Sequence, residues 1–356
     1  MTPAMLLRRF CCCNVAYPAT RPSATKKQLV FMGSPQVSAS VLETLLNASK
    51  EPNSIFQLAA IVTQPPSARD RGRRVMPSPV AQLALDWDFS QDRVFTPERA
   101  GEENFLAELK SLNPELCVTA AYGNILPTKF LNIPQYGTVN LHPSLLPLYR
   151  GAAPVQRALQ DGVKETGVSL AFTVRDLDAG PVIASERVNL DDHIKAPELL
   201  SLLFDLGSKL LVQELPSIFD GSARVKAQVQ DDSKATLAPK ITSEESWLSF
   251  DQPALVLHNK VRAFAGWPGT RAKVQIVDGK GELDTLELKI ITTRICSREG
   301  VSSNESDIIL HRDALLIPCA GVTALEVLEL QPPGKKVMNA RAFWNGLRGR
   351  RLRLLP

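Results

Sequence analysis

Cysteine is scarce in this 356-residue sequence, and no two cysteines have the C-x-x-C spacing of a metal or redox site. Three of the six lie together at Cys11–Cys13, and the others, Cys117, Cys296 and Cys319, are scattered. Structural zinc sites and disulfide frameworks require regularly spaced ligands or paired cysteines. The histidines also lack metal-ligand spacing. The sequence therefore predicts neither a disulfide framework nor a metal site.

Long apolar runs are also missing, and none approaches the ~18 residues that indicate a transmembrane helix. A second absence is the glycine pattern of dinucleotide-binding proteins. The turn after the first predicted strand reads Gly33-Ser34-Pro35 instead of G-x-G-x-x-G. A nicotinamide dinucleotide is therefore not indicated.

Acidic residues are absent from the N-terminus, where the first one is Glu43. Basic residues and a short apolar stretch, Met5–Leu7, occur within residues 1–27, a composition typical of an organellar transit peptide. A secretory signal fits less well because Arg8 and Arg9 interrupt its apolar core. Chloroplast peptides tend to be rich in serine, whereas residues 1–27 are not. We therefore predict import into the mitochondrial matrix. The chloroplast is one alternative, and a tail without a targeting role is another.

Strands and helices alternate from residue 28 onward, which predicts an α/β domain with a mostly parallel sheet. The length suggests about two domains. We predict a catalytic domain over 28–224, a linker over 225–242 and a second domain over 243–356. The predicted strands are Gln28–Met32, Leu58–Val62, Val94–Phe95 and Leu116–Ala120, and the predicted helices are Val37–Leu46, Pro79–Leu85, Phe105–Leu112 and Leu199–Ile218.

The second domain contains several short strand patterns separated by turns, which predicts a small β-barrel. Its strands are expected at Thr270–Val277, Thr285–Thr293, Asp307–Leu310, Ala314–Pro318 and Thr323–Leu330. From residue 331 to the end there are seven basic residues and no acidic one. Taken alone, such a tail is weak evidence for an anionic partner such as RNA, and it becomes stronger evidence on a barrel in a chain that also has a basic loop suited to RNA.

The stretch Gly137–Pro154 holds the strongest chemical signal. A predicted strand at Thr138–Leu141 leads directly into His142. Residues two apart in a strand point to the same side, so Asn140 and His142 leave it together. The carboxyl end of a strand in an open α/β sheet is where reacting groups are presented.

Asp178 lies in a turn between two alternating segments, Val168–Val174 and Val182–Val188. Together with the strand end it makes a possible triad, in which His142 carries a proton, Asp178 orients it and Asn140 donates to an oxyanion. The pattern requires no serine or cysteine nucleophile, which favours direct attack by a substrate nucleophile. Taken alone, however, an Asn-x-His pair on a strand is often structural, and an aspartate in a turn is often a turn former.

Three ordered motifs resemble the folate-dependent formyltransferases: residues 140–147 (NLHPSLLP), 150–154 (RGAAP) and 177–180 (LDAG). The resemblance implies a Rossmann-like formyltransferase domain with a mostly parallel sheet, followed by a small OB-like β-barrel. It also implies that Asn140, His142 and Asp178 are catalytic and that the formyl donor is 10-formyltetrahydrofolate, with no metal. The residues it implies for the folate pocket are Ala121, Tyr122, Gly123 and Leu146.

A basic loop lies within Thr63–Pro79 and carries Arg69, Arg71, Arg73 and Arg74. By composition it is either a solvated loop or a contact for nucleic-acid phosphate. Members of the resembled family that act on tRNA have such a loop, and Arg71 matches its principal arginine best.

The resemblance therefore implies that the acceptor is the α-amine of methionine on initiator tRNA. It also suggests tRNA contacts at Lys335, Lys336 and Lys240, although Lys240 fits a structural role equally. A small-molecule formyltransferase, a formyl-folate hydrolase and a non-catalytic RNA-binding protein remain alternatives, and the oligomeric state stays open.

Overall fold

The computed structural model describes residues 25–68, 75–297 and 306–355. In the first half of the chain the elements are β1 (Lys27–Gly33), α1 (Gln36–Lys50), β2 (Phe56–Val62), β3 (Ser67–Ala68), β4 (Val75–Met76), α2 (Pro79–Asp86), β5 (Val94–Phe95), α3 (Glu103–Ser111), β6 (Leu116–Ala120), α4 (Thr128–Leu131), β7 (Thr138–His142), α5 (Pro154–Asp161), β8 (Glu165–Phe172), β9 (Val182–Asn189) and α6 (Ala196–Phe219). The second half contains α7 (Ser222–Lys226), α8 (Ala254–Ala263), β10 (Thr270–Val277), β11 (Leu283–Ser297), β12 (Asp307–His311), β13 (Ala314–Cys319), β14 (Thr323–Gln331), β15 (Met338–Asn339), α9 (Ala340–Gly346) and β16 (Arg351–Leu354).

The first domain is built on a sheet whose described strands follow the order β5-β2-β1-β6-β7-β8-β9. The first five strands in this order, β5, β2, β1, β6 and β7, pair in parallel. Strand β8 pairs antiparallel with both β7 and β9. The prediction of a mostly parallel α/β sheet is therefore confirmed. This topology brings the carboxyl ends of β6 and β7 to the same edge of the sheet.

Apolar residues in the central strands alternate between two helical layers. Leu29 and Phe31 of β1 pack into the core that includes α1 and α6, whereas Val30 and Met32 pack into the core of α3 and α4. All four are fully buried. Burial on both faces explains why β1 reads as a continuous apolar run.

Two of the helices that border the sheet, α2 and α6, begin at residues that make capping contacts. Ser78 caps α2, its hydroxyl accepting a hydrogen bond from the backbone N–H of Ala81, and Pro79 occupies the first turn. Helix α6 spans Ala196–Phe219, three residues longer at its start than the predicted helix. Its Glu198 side chain accepts from the Lys195 backbone N–H, and this contact supports the earlier start.

The second domain is a barrel. In the described part of this domain, six strands pair in the order β11-β10-β16-β12-β13-β14, and β11 also pairs with β14 and closes the ring. The predicted small OB-like barrel is therefore confirmed. Strand β16 lies in the stretch interpreted above only as a basic tail. That interpretation is wrong for residues 351–354, which form a strand of the barrel. Leu352 is buried between the exposed Arg351 and the half-buried Arg353, so the alternation of a strand is present there.

Helix α8 joins the two domains. It packs against α5 of the first domain, and its terminal Ala263 together with Phe264 belongs to the first domain's core. Arg157 of α5 forms a bidentate ion pair with Glu245, with N–O distances of 2.7 and 3.1 Å. Within the described ranges, no helix has both the length and the apolar character needed to cross a membrane.

Candidate active site

Strand β7 delivers two polar side chains to the edge of the sheet. Asn140 is half-buried and His142 is buried. In the parallel pairing of β6 with β7, Thr119 lies beside Asn140, and its hydroxyl donates to Asn140 Oδ1 over 2.8 Å. One end of the Asn140 amide is therefore fixed from the neighbouring strand.

Asp178 lies in the turn after β8 and reaches this strand end. Its Oδ1 accepts from Asn140 Nδ2 at 3.3 Å, and its Oδ2 accepts from the backbone N–H of Gly151 at 2.9 Å. A carboxylate only accepts hydrogen bonds, so the NH₂ end of Asn140 must face Asp178. Asp178 has a φ of 47°, a left-handed conformation that is uncommon outside glycine.

His142 lies between a carbonyl and the Asp178 carboxylate. Its Nε2 is 2.9 Å from the carbonyl oxygen of Tyr149, and since a carbonyl only accepts, Nε2 carries the hydrogen. Nδ1 is then the nitrogen that gains or loses a proton, and it lies 3.7 Å from Asp178 Oδ2. The arrangement brings together all three residues that the sequence predicts as catalytic.

The loop over residues 149–151 completes this arrangement and is held by the segment predicted as a linker. The backbone N–H of Arg150 donates to Thr236 O at 2.8 Å, and the N–H of Ala238 donates to Arg150 O at 2.7 Å. Gly151 has a φ of 126°, and a Cβ there would lie 2.7 Å from Ala238 O. The close approach of two backbones therefore requires glycine at 151.

These side chains border a cleft of about 620 Å³. Ala121, Tyr122 and Gly123, which the sequence assigns to the folate pocket, line the same cleft. Leu146 is not among its lining residues, and its backbone N–H instead donates to Ser169 Oγ on β8. The structure thus brings three of the four predicted pocket residues to the triad.

Tyr122 lines the cleft, yet its ring belongs to an apolar core of the domain. Its ring is buried in the core of α3 and α4, and this burial raises the pKa of its hydroxyl. Its carbonyl accepts from Gln64 Nε2 at 3.1 Å. The segment over residues 121–123 therefore offers mainly its backbone to a ligand, with Gly123 at a φ of 91°.

The basic loop predicted to contact tRNA lies outside the described residues, and this applies to Arg69, Arg71, Arg73 and Arg74. The short antiparallel strands β3 and β4 flank it. Lys240 is exposed in the segment between the domains, and Lys335 and Lys336 are exposed between β14 and β15. The predicted transit peptide also falls outside the described chain as far as residue 24.

Several site residues were missed by the sequence reasoning. Thr119 and Gln230 contact the triad through side chains, while Tyr149 and Gly151 contact it through their backbones. The only available signal was that Tyr149 and Gly151 lie in the stretch Gly137–Pro154, which also contains Asn140 and His142. Among the described residues, no three His, Cys, Asp or Glu side chains are grouped as they would be to hold a metal ion.

Comparison with family models gives two matches that divide the chain as the fold does. The formyl transferase model matches residues 27–215, and the model for the formyl transferase C-terminal domain matches residues 240–348. The two matches define the class as a two-domain formyl transferase.

Curated relatives refine this class. The methionyl-tRNA formyltransferase of Syntrophomonas wolfei is 34% identical over 90% of this chain and 95% of its own length. That of Methylococcus capsulatus is 36% identical over 91% of this chain and 99% of its own length. The chain therefore belongs to the methionyl-tRNA formyltransferase family.

Solved structures share the fold at lower identity. An N-formyltransferase from Helicobacter canadensis, in complex with folinic acid and dTDP-3-aminofucose, has a TM-score of 0.59 at 15% identity, covering 86% of this chain and 99% of that chain. HypX from Aquifex aeolicus, in complex with tetrahydrofolic acid, has a TM-score of 0.55 at 14% identity and covers 92% of this chain and 48% of that chain. At such identities the likeness concerns the fold alone.

Proposed function

We propose that this chain transfers a formyl group from 10-formyltetrahydrofolate to the α-amine of methionine on initiator tRNA. The observation that carries the proposal is the convergence of Asn140, His142 and Asp178 on one cleft. It is supported by relatives named methionyl-tRNA formyltransferases that match over nine-tenths of the chain.

The reaction begins when the neutral amine of the methionyl group attacks the formyl carbon, and an electron pair moves onto the formyl oxygen. Asn140 has two N–H groups, and one of them is directed at Asp178. We assign the other to the developing oxyanion, together with a protonated His142. A preorganised donor of this kind contributes roughly 10²–10³ in rate.

The second half of the reaction breaks the bond between the formyl carbon and N10 of the folate. The amine nitrogen loses a proton and N10 gains one, so the products are the formamide and tetrahydrofolate. His142 Nδ1 is the site's exchangeable nitrogen, and Asp178 Oδ2 lies 3.7 Å from it. Proton transfer passes through His142 or through water held by Asp178.

In our proposal the basic loop binds the acceptor substrate, which is a tRNA. Four arginines in a short Pro- and Gly-containing segment suit the phosphates of a tRNA acceptor end. We assign the principal contact to Arg71, with Lys335 and Lys336 contributing to tRNA affinity from the barrel and Lys240 from the connecting segment. A small-molecule formyltransferase would not need these contacts.

The decisive measurement is transfer of radiolabelled formyl from the folate donor to methionyl-tRNA, compared with free methionine, other amines and water. We expect label on methionyl-tRNA, and His142→Ala should lower turnover at least ~10²-fold. His193→Ala, at an exposed histidine, is the matched control. Equal labelling of free methionine, or hydrolysis alone, would instead favour the small-molecule enzyme or the hydrolase.

Arg71→Ala separates the tRNA role from the folate role. We expect weaker use of methionyl-tRNA with unchanged folate affinity, and a salt dependence flatter by a slope of roughly 0.7–0.9 per lost phosphate contact. Wild-type formylation at every salt concentration would show that the loop is only a solvated surface.

We also propose that the chain acts in the mitochondrial matrix, on the basis of its N-terminus, which has basic residues but no acidic residue before Glu43. Residues 1–40 fused to a fluorescent protein should enter mitochondria. Diffuse cytosolic fluorescence would contradict the proposal, and import into chloroplasts would redirect it.

A further inference from the structure

Gln230 is a buried residue of the segment between α7 and α8, and its side chain reaches the turn that carries Asp178. Its Nε2 donates to the carbonyl oxygens of Asp178 at 2.8 Å and Gly180 at 2.7 Å. Its Oε1 accepts from Nε and Nη2 of Arg150, at 3.0 and 2.8 Å. A guanidinium only donates, so the amide orientation is fixed and both of its ends are satisfied.

The turn that Gln230 holds is conformationally demanding. Asp178 has a φ of 47°, a conformation that costs a non-glycine residue on the order of 1–2 kcal/mol. Gly180 is pressed against the strand before the turn, since a Cβ there would lie 1.6 Å from Phe172 O. The two bonds from Gln230 fasten this turn on either side of Ala179. Strained backbone persists only where surrounding contacts over-determine it.

Through Arg150, the same amide is connected to the other half of the site. Arg150 lies between Tyr149, whose carbonyl accepts from His142, and Gly151, whose N–H donates to Asp178. Its buried guanidinium also contacts Asp232 Oδ1 at 2.7 Å. One side chain therefore links the turn that carries Asp178 to the loop that orients His142.

We infer that Gln230 is a positioning residue, which sets the distance between Asp178 and His142 without touching substrate. The 3.7 Å between Asp178 Oδ2 and His142 Nδ1 depends on where the turn and the loop are held. Displacements of about 1 Å at such sites can cost ~10²-fold in rate. Loss of Gln230 should therefore affect the chemical step more than substrate binding. The inference rests on the proposed function because formyl transfer is its readout.

The test compares Gln230→Glu with Gln228→Glu. Glutamate at 230 retains an acceptor for Arg150, but it replaces the amide donor with an oxygen that faces two carbonyl oxygens. Gln228 lies in the same segment with an exposed side chain, so its variant makes the same charge change away from the site. Gln230→Met, of similar length and without charge, serves as a second variant if the first does not fold.

For both Gln230 variants we expect kcat to fall ~10–10²-fold. KM for folate and tRNA affinity should stay close to those of the wild type, whereas the unfolding midpoint should fall because buried partners of Gln230 lose their hydrogen bonds. Gln228→Glu should behave as wild type. The inference is overturned if folded Gln230 variants keep kcat within about twofold of wild type. It is also overturned if KM for folate rises in step with the fall in kcat, because that pattern indicates a general loss of the native cleft and not a role in positioning Asp178 and His142.

The wild-type enzyme distinguishes failure of this inference from failure of the proposed function. If the wild type formylates methionyl-tRNA and the Gln230 variants do so equally well, only the role of Gln230 is wrong. If the wild type formylates a different amine, the acceptor assignment is wrong, and the same variants are compared with that amine as acceptor.

Discussion

Asn140 owes its orientation to contacts at both ends of its amide. Thr119 donates to Oδ1 at 2.8 Å, and Asp178 accepts from Nδ2 at 3.3 Å. An amide held at one end only is free to turn, and the remaining N–H would then lose the direction toward the formyl oxygen that our proposal assigns to it. In the proposed function, the neighbouring strand therefore helps to set the catalytic geometry, although Thr119 performs no chemistry itself.

Thr119→Val tests this dependence. Valine fills the same space without a donor, so Asn140 Oδ1 loses its partner. The net worth of such a hydrogen bond is about 1–1.4 kcal/mol, and we expect kcat to fall about 5–10-fold. Thr119→Ser retains the hydroxyl and is the matched control. Steady-state formylation of both variants provides the measurement, and equal rates for Val and Ser would show that the bond does not matter.

At this scale, the sequence predicts the triad but not its supports. Asn140 and His142 are two residues apart on one strand, so strand geometry alone puts them together. Thr119 meets Asn140 across 21 residues and Gln230 meets Asp178 across 52, so both contacts depend on tertiary placement. The environment of the Tyr122 ring likewise depends on which core the ring enters, which no local pattern specifies.

Two backbone segments form the structural frame of the site. Residues 149–151 run parallel to residues 236–238, with Arg150 bridged to Leu237, and the backbone N–H of Tyr149 donates to Thr236 Oγ1 at 2.8 Å. The chain that leaves the first domain therefore returns to the loop over residues 149–151 before it enters the barrel. Removal of this segment would leave the carbonyl that orients His142 without its support.

Gly151→Ala probes this frame directly. Alanine at a φ of 126° is strained, and its Cβ would lie 2.7 Å from Ala238 O. We expect a loss of about 1–3 kcal/mol in the free energy of unfolding, and a fall in kcat because Gly151 N–H also holds Asp178. Denaturant unfolding and steady-state kinetics measure the two effects. Gly279→Ala is the control, since nothing lies within 4 Å of its added Cβ. Equal behaviour of the two variants would contradict the close approach.

The sequence predicts the bounds of a strand well where all of its residues are buried. It predicts them less well where pairing with a neighbour continues the strand beyond its apolar residues. Strand β6 has its predicted bounds because each of its five residues is buried. Strand β8 begins at Glu165 instead of Val168, because pairing with β9 extends it beyond the apolar run. The basic residues around Leu352 obscured β16, whose only apolar signal is a short alternation between arginines.

Besides the apolar contacts of Ala263 and Phe264, the two domains meet through polar groups of α8, which no sequence pattern indicated. His258 Nδ1 lies 2.8 Å from Thr293 Oγ1 within the barrel, and its Nε2 donates to Asp192 O of the first domain at 2.9 Å. Arg262 donates to the carbonyl oxygens of Asp191 and Ile194. The interface thus uses backbone carbonyls of the loop before α6, so it depends on the fold of both domains.

Protonation of His258 should therefore link pH to stability. Burial lowers the pKa of this imidazole, and the charges of Arg262 and His193 lower it further, although Asp192 opposes this effect. The unfolded chain has an ordinary histidine pKa of about 6.5, so it binds the proton more readily than the folded chain. The contribution of His258 is thus fully present above about pH 6.5, and it is lost as the pH falls through the lowered folded pKa.

Urea unfolding of the wild type, followed by tryptophan fluorescence between pH 8 and 5.5, provides the measurement. The free energy of unfolding should fall with decreasing pH, with a contribution from His258 of at most about 1.4 kcal/mol per pH unit. His258→Gln should be less stable at pH 8, because it loses hydrogen bonds across the interface, but it should show a shallower pH dependence. The two curves should therefore converge toward pH 5.5. His193→Gln, at the exposed neighbouring histidine, should retain most of the wild-type slope, because burial, the largest cause of the lowered pKa of His258, is unchanged. Parallel curves for wild type and His258→Gln would show that another group carries the pH dependence. Only a group whose pKa differs between the folded and the unfolded chain contributes to the slope of stability against pH.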